Sequence, residues 1–264
     1  MMLQTLRLSD GAAVRALIAG EGAPVVLIHG VGLRAEAWGP QIAALATDHR
    51  VIAVDMPGHG ESDPLPDGAR LPDYVGWAAQ VIAALDQGPV SLAGHSMGAM
   101  IAAGVAVDRP DLLARVALLN AVHRRSPEAR AAVIARADQI ASGADGTDGP
   151  LSRWFGPEDA AVRAQVAGWL QSVNRLGYAA AYRAFAEGDG IYADRLQAIR
   201  CPALVLTGEG DGNSTPAMAQ AMAGAMPLGR AQVIAGHRHM MNLTAPDAVS
   251  TALRHWLTRE EPPA

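Results

Sequence analysis

Short, fully apolar runs alternate along most of the chain with stretches in which apolar residues recur at helical spacing. The apolar runs predict strands at residues 25–29, 51–55, 90–95, 115–121, 203–208 and 232–235, and the segments 3–8 and 13–18 are predicted to form a hairpin across Asp10-Gly11. The helical spacing predicts helices at residues 37–47, 72–85, 97–107, 216–226 and 245–257. Runs without polar positions are typical of parallel strands buried on both faces. The pattern therefore predicts an α/β fold, a mostly parallel twisted sheet with helices on both faces.

The alternation stops between residues 123 and 199, where no strand is predicted. This segment is helical in pattern, with a break rich in Gly and Asp at 142–150, and it holds both Phe and three of the four Tyr residues. A helical insertion can bury its own small core and also cover a substrate pocket. We therefore predict a core domain of residues 1–122 and 200–264 and a helical lid at 123–199.

Composition narrows the class of protein. The chain has 264 residues, 50% of them hydrophobic, a net charge of −5 and one cysteine. A disordered chain is excluded by the apolar content, and a disulfide-stapled secreted scaffold by the lone Cys201. The absence of a basic block argues against nucleic-acid partners, and the apolar runs are too short to span a membrane. We expect a cytoplasmic protein and leave a homo-oligomer open.

The sequence Gly94-His95-Ser96-Met97-Gly98 lies between a predicted strand and a predicted helix. It matches the G-x-S-x-G pattern of a nucleophile elbow, in which a sharp turn raises a serine hydroxyl above the sheet edge. The turn leaves no room for side chains at the two glycines, and the helix N-terminus behind it offers free N–H groups to an oxyanion. We predict that Ser96 is a nucleophile.

A serine hydroxyl needs a base that removes its proton and an acid that orients the base. In this setting the acid and then the base follow the serine along the chain. Asp211 follows the strand at 203–208 and is the predicted acid; the rival Glu209 lies nearer the strand end, and we expect it to point away. His237 and His239 both precede the final helix, and the pattern alone leaves either as the base.

The loop His29-Gly30-Val31-Gly32 follows the strand at 25–29. In a serine hydrolase, such a loop supplies a backbone N–H group to the oxyanion, and the residue after the nucleophile supplies a second one. We therefore predict that the N–H groups of Val31 and Met97 form the oxyanion hole.

The same loop allows a competing hypothesis, a dinucleotide-binding fold. The sequence Gly30-Val31-Gly32-Leu33-Arg34-Ala35 matches G-x-G-x-x-A, and Asp55 ends the next strand, where such folds place their ribose-binding acid. A predicted hairpin at 3–8 and 13–18 precedes the first parallel strand, however, and the motif leaves Ser96 unexplained. We expect no cofactor.

The pair His237 and His239 also has the H-x-H spacing of a zinc site. Zinc needs at least a third ligand, and neither an H-E-x-x-H motif nor a cysteine pair accompanies them. We expect no metal.

Together these motifs resemble the α/β-hydrolase superfamily. The matching segments follow the family's order over nearly the whole chain, at residues 29–30, 55–62, 94–98, 208–211 and 239–246. The family's catalytic His stands seven residues before a Pro, so the resemblance selects His239, which precedes Pro246 by that spacing, over His237. It implies an α/β-hydrolase fold with the triad Ser96, Asp211 and His239.

Within the superfamily the chain is most similar to the 3-oxoadipate enol-lactonase-like group, through residues 153–155, 177–189 and 196–202 of the lid and its exit. That group holds lactonases, esterases, C–C bond hydrolases and cofactor-free haloperoxidases. The resemblance implies a serine hydrolase that cleaves a small carboxylic ester or lactone. C–C bond hydrolysis or perhydrolysis on the same triad is the alternative, and a ligand-binding protein of this fold is the alternative outside enzymes.

Four side chains are candidate contacts for a small-molecule substrate. Trp154 and Phe155 belong to the aromatic cluster of the lid. Arg153, beside them, and Arg34, just past the loop at 29–32, are candidates to pair with a substrate carboxylate. Arg34 is equally well explained as a solvated surface residue.

Overall fold

The computed structural model describes residues 1–144, 146 and 148–258. Among them the strands are β1 (Met2–Arg7), β2 (Ala13–Ala19), β3 (Ala23–Ile28), β4 (His49–Val54), β5 (Val90–His95), β6 (Leu113–Leu119), β7 (Ala203–Gly208) and β8 (Gly229–Ile234). They form one sheet in the order β1-β2-β4-β3-β5-β6-β7-β8. The β1–β2 and β2–β4 pairings are antiparallel and the others are parallel. The predicted mostly parallel α/β sheet is confirmed.

The helices of the described residues are α1 (Gly39–Leu45), α2 (Leu71–Ala84), α3 (Met97–Asp108), α4 (Pro127–Ser142), α5 (Asp148–Trp154), α6 (Ala160–Ser172), α7 (Arg175–Gly188), α8 (Pro216–Ala225), α9 (Met241–Thr244) and α10 (Pro246–Thr258). The predicted final helix began at residue 245, but the structure starts α10 at Pro246 and adds the separate turn α9. Proline lacks an N–H group and has a fixed φ, so it suits the first position of a helix. None of the described helices is long and apolar enough to cross a membrane.

Both faces of the sheet are covered by helices. Along β3, Val26 and Ile28 pack into a core that includes residues of α2, α3 and α8, whereas Val25 and Leu27 pack into a second core with residues of α1 and α10. Because alternate residues of a strand point to opposite faces, a strand covered on both sides has no polar positions. This explains the uninterrupted apolar runs of the sequence.

Helices α4 to α7 lie between β6 and β7, within the segment predicted as the lid. Phe155 and Leu170 of this segment share a small apolar cluster with Leu33 and Met240 of the core. The insertion therefore rests on the loops that follow β3 and β8, at the carboxyl edge of the sheet. Residues 145 and 147 of the predicted lid and 259–264 of the predicted core domain lie outside the described residues.

Candidate active site

Ser96 lies in the tight turn between β5 and α3. Its φ of 55° is in the left-handed region, which non-glycine residues adopt only where their surroundings enforce it. A Cβ atom at Gly94 would lie 2.0 Å from the carbonyl oxygen of Gly98, and one at Gly98 would lie 2.2 Å from that of Ile28. Close approach of backbone to backbone therefore requires both glycines of the motif.

Asp211 and His239 are brought together from the loops that follow β7 and β8. Nδ1 of His239 lies 2.8 Å from Oδ2 of Asp211, and the two side chains are 4% and 1% exposed. Because an ionised carboxylate only accepts, the imidazole donates its Nδ1 proton in this bond. Nε2 is then the nitrogen that can accept a proton from another group.

A network of donors holds the Asp211 carboxylate. Asn120 donates its Nδ2 proton to Oδ2 at 2.8 Å, and the N–H groups of Asn213 and Ser214 donate to Oδ1 at 2.8 and 3.1 Å. Burial by itself raises the pKa of Asp211, but His239, Asn120 and Asn213 outweigh it and hold the pKa below its ordinary value. The carboxylate is ionised at neutral pH.

The rival candidates for acid and base point elsewhere. Glu209 accepts the N–H of Gly236 at 2.9 Å, and Nδ1 of His237 lies 3.0 Å from Oγ1 of Thr244. Glu209 therefore points away from His239, in line with the prediction. Among the described residues, no three potential metal ligands come together.

The loop after β3 and the elbow contain the two backbone N–H groups predicted to form the oxyanion hole, those of Val31 and Met97. Gly32 donates its N–H to Nε2 of His59 at 3.0 Å, and Leu33 donates to the carbonyl of Gly30 at 3.1 Å. Within the described ranges, the N–H groups of Val31 and Met97 donate to no protein acceptor. Neither N–H group is therefore engaged by a described protein acceptor, and the oxyanion hole stays a prediction.

Two buried histidines support this loop and the turn after β4. Nδ1 of His29 donates to the carbonyl of Gly30 at 2.8 Å, and its Nε2 accepts the N–H of Met56 at 2.9 Å. Nδ1 of His59 donates to the carbonyl of Pro57 at 3.0 Å. Burial lowers the pKa of His29 to about 4 and that of His59 to about 3. Both rings are neutral supports of the backbone.

His95, beside the nucleophile, is also buried. Its Nε2 donates to the carbonyl oxygen of His239 at 2.9 Å, and burial lowers its pKa to about 3. His95 thus anchors the backbone of the 239 loop and stays neutral.

Asp55 is occupied by contacts inside the protein. Its side chain is fully buried, accepts the N–H of Ala35 at 2.6 Å and pairs with Arg15 at 2.7 Å. A ribose hydroxyl cannot reach this carboxylate, so the dinucleotide hypothesis is wrong. Arg34 is bonded to Glu36 at 2.8 Å through Nε and is not among the described residues that line the cavity of Ser96, so its contact with a substrate stays a prediction.

Ser96 and His239 line one cavity of about 130 Å³ between the core and the insertion. Val31, Arg153 and Trp154 also line it, as does Arg125, which the sequence analysis did not select. Phe155 is not among the described lining residues: it is 2% exposed and packs into the cluster with Leu33, so its contact with a substrate stays a prediction.

A depression of about 470 Å³ lies beside α2, at the N-terminal hairpin and residues 63–69. Neither a serine nor a histidine is among the described residues that line it. The smaller cavity, which both Ser96 and His239 line, is the candidate active site.

The chain is similar to known hydrolases along its length. A model of the alpha/beta hydrolase family matches residues 25–252. An (E)-2-((N-methylformamido)methylene)succinate hydrolase of Acinetobacter baylyi is 50% identical over 261 residues, which cover 97% of this chain and 98% of the relative.

Two solved structures extend the similarity. A thermophilic esterase of Thermogutta terrifontis, with malate bound, has a TM-score of 0.85 and 28% identity, covering 97% of this chain and 98% of its own. An enol-lactonase of Burkholderia xenovorans LB400 has a TM-score of 0.84 and 26% identity, covering 97% and 100%.

Proposed function

Because the chain belongs to the alpha/beta hydrolase family and is a hydrolase, we propose that it cleaves a small acyl compound with Ser96 as nucleophile, His239 as general base and Asp211 as the acid that orients His239. One observation carries this proposal. The 2.8 Å bond between Asp211 and His239 fixes an imidazole in the cavity into which the elbow presents Ser96.

In the first half of the reaction Oγ of Ser96 attacks the acyl carbon while Nε2 of His239 takes the hydroxyl proton. The N–H groups of Val31 and Met97 bind the oxyanion, and each donor contributes about 3 kcal/mol to the transition state. His239 then gives its proton to the leaving group, and the acyl group stays on Ser96.

In the second half a water molecule replaces the leaving group. His239 removes a proton from the water, the hydroxyl oxygen attacks the acyl carbon, and the acid leaves as Ser96 regains its proton. Asp211 stays ionised throughout and stabilises the imidazolium that forms twice in the cycle.

The relative from Acinetobacter baylyi narrows the choice of the bond that is cleaved. The sequence predicts an ester or lactone, whereas the relative is named for a succinate that carries an N-methylformamido group. Identity of 50% over almost the whole of both chains favours a related formamide of a dicarboxylate as the natural substrate. The esterase with malate bound supports a dicarboxylate, and esters remain suitable test substrates for the same acyl-enzyme route.

Labelling with a fluorophosphonate probe tests the nucleophile and the base. The native protein should be labelled and Ser96→Ala should not. His239→Ala should lose labelling, whereas the matched variant His237→Ala should keep most of it. Full labelling of Ser96→Ala, or the reverse order of the two histidine variants, would overturn the assignment.

A substrate panel tests the class of bond. We expect release of formate from an N-formylaminomethylene succinate, and slower hydrolysis of methyl esters and enol-lactones. Turnover of ring-cleavage dienoates alone would favour C–C bond hydrolysis, and peroxide-dependent halogenation alone would favour perhydrolysis. Stoichiometric binding of these compounds by a native protein that turns over none of them would support a binding protein.

A further inference from the structure

Arg125 lies at the start of the insertion and lines the cavity that holds Ser96 and His239. Its side chain is 5% exposed. Nη1 lies 3.2 Å from Oδ1 of Asp189 and donates to the carbonyl of Phe185 at 3.2 Å. Nη2 is buried and has no hydrogen-bond partner in the part of the chain that the structure describes. One end of the guanidinium is therefore anchored and the other is unsatisfied.

The surroundings keep this guanidinium in place. Its Cζ lies over the ring of Phe185, 4.3 Å from the centroid, and this cation–π contact stabilises the guanidinium there. Asp189 also accepts the backbone N–H of Arg125 at 2.8 Å. The anchored half of Arg125 thus fixes the direction in which Nη2 can donate.

The charge around the cavity is positive. Asp189 is shared with Arg130, whose Nη1 lies 3.3 Å from Oδ1, so one carboxylate faces two guanidiniums. Arg153 is a further cation of the cavity wall, and none of the described lining residues is Asp or Glu. An anionic ligand would balance this charge.

We propose that Nη2 of Arg125 binds a carboxylate of the substrate and thereby makes the enzyme selective for acyl compounds that carry a carboxylate. The assignment rests on the proposed function and specifies its substrate class. A buried donor without an acceptor is unfavourable, and a carboxylate oxygen is its strongest acceptor. Arg153 supplies a second guanidinium to the same cavity, which matches a substrate with two carboxylates.

Two methyl esters test the selectivity. Monomethyl succinate and methyl butyrate differ by a carboxylate in place of a methyl group, and acid release reports the hydrolysis of both. Replacing Arg125 alone would leave the buried carboxylate of Asp189 with one cationic partner fewer, which is destabilising. The test variant is therefore the double substitution Arg125→Met/Asp189→Asn, which also removes this negative charge. We expect the ratio of kcat/KM for the succinate ester over the butyrate ester to fall about 10- to 100-fold, the usual loss for a hydrogen bond to a charged group.

Arg130→Met is the matched control. Arg130 is the other arginine that pairs with Asp189, but it is not among the described residues that line the cavity. The ester ratio of this variant should stay near the native value. An unchanged ratio in a folded Arg125→Met/Asp189→Asn protein, or an equal fall in Arg130→Met, would overturn the assignment.

Binding of succinate separates this assignment from the proposed chemistry. Titration of Ser96→Ala protein with succinate in a calorimeter needs no turnover, and adding Arg125→Met/Asp189→Asn should raise the Kd about 10- to 100-fold. If succinate binding depends on Arg125 while probe labelling does not depend on Ser96, the proposed function falls and the carboxylate site stands. If labelling depends on Ser96 but succinate does not bind, or binds regardless of Arg125, the carboxylate site falls alone.

Discussion

The indole of Trp154 stacks on the imidazole of His239, with ring centroids 5.6 Å apart and 27° between the planes. Trp154 ends helix α5 of the insertion, whereas His239 belongs to the core loop after β8. The ring of His95 lies 5.1 Å from the same imidazole. The insertion therefore orients the proposed general base as well as covering the cavity.

Replacement of Trp154 should lower the reactivity of Ser96, because Trp154 stacks on the proposed base His239. Trp154→Ala removes the stacked ring and should lower the rate of fluorophosphonate labelling about 2- to 10-fold, since an aromatic pair is worth about 0.5–1.5 kcal/mol. Trp154→Phe keeps an aromatic face and should retain most of the rate. Equal rates for native protein and Trp154→Ala would show that the stacking does not orient the base.

Replacement of Gly98 by alanine should destabilise the protein, whereas the same replacement at Gly76 should stabilise it. A Cβ at Gly98 would lie 2.2 Å from a carbonyl oxygen, whereas one at Gly76, in α2, meets no atom within 4 Å. Gly98→Ala should therefore lower the free energy of unfolding by about 3 kcal/mol, and Gly76→Ala should raise it by about 0.5–1 kcal/mol. Urea unfolding measures both, and equal effects would contradict the proposed crowding at the elbow.

Arg15 and Arg34 should differ in their effect on stability. Arg15 pairs with the fully buried Asp55, whereas the Arg34–Glu36 pair is about one third exposed. Arg15→Met leaves a buried charge and should cost about 3–5 kcal/mol; Arg34→Met should cost about 1 kcal/mol or less. Thermal and urea unfolding test this order, and Arg34→Met should also leave the KM for monomethyl succinate unchanged.

Acid should unfold the protein at a higher pH than protonation of its carboxyl groups alone would require. The folded-state pKa values of His29, His59 and His95 lie at about 4, 3 and 3, below the ordinary value of 6.5. The unfolded chain therefore binds more protons between these values, and the stability present above pH 6.5 falls as the pH drops. Each histidine should contribute a slope of about 1.4 kcal/mol per pH unit.

His95→Gln isolates one of these contributions, because the amide nitrogen can replace Nε2 as donor to the carbonyl of His239. Urea unfolding between pH 7 and 4 should give a slope lower than the native slope by about 1.4 kcal/mol per pH unit. Parallel stability curves would show that His95 does not titrate on unfolding.

The sheet is predictable from the sequence wherever both of its faces are buried. The run at 203–208 coincides with β7, because every residue of that strand is buried. By contrast, β8 begins at Gly229, three residues before the predicted start at 232. Residues 230 and 231, which the prediction leaves out, are exposed at the edge of the sheet, so no buried apolar run marks the start of the strand.

The elbow is predictable because its geometry is local, with glycines two residues on either side of Ser96. The donor Asn120 and the cation Arg125 are not, because each acts through a partner that is distant along the chain. Asn120 reaches Asp211 across 91 residues, and Arg125 reaches Asp189 across 64. Only the fold shows that these pairs meet.

The lone pair of His59 that accepts the Gly32 N–H exists in only one tautomer, the one whose other nitrogen is protonated toward Pro57. The folded protein holds this tautomer, so the peptide dipoles of the proposed oxyanion loop already have their orientation before an acyl group arrives. Negative charge that develops on the substrate oxygen then meets dipoles that need no rotation, and the reorganisation energy of the step is small.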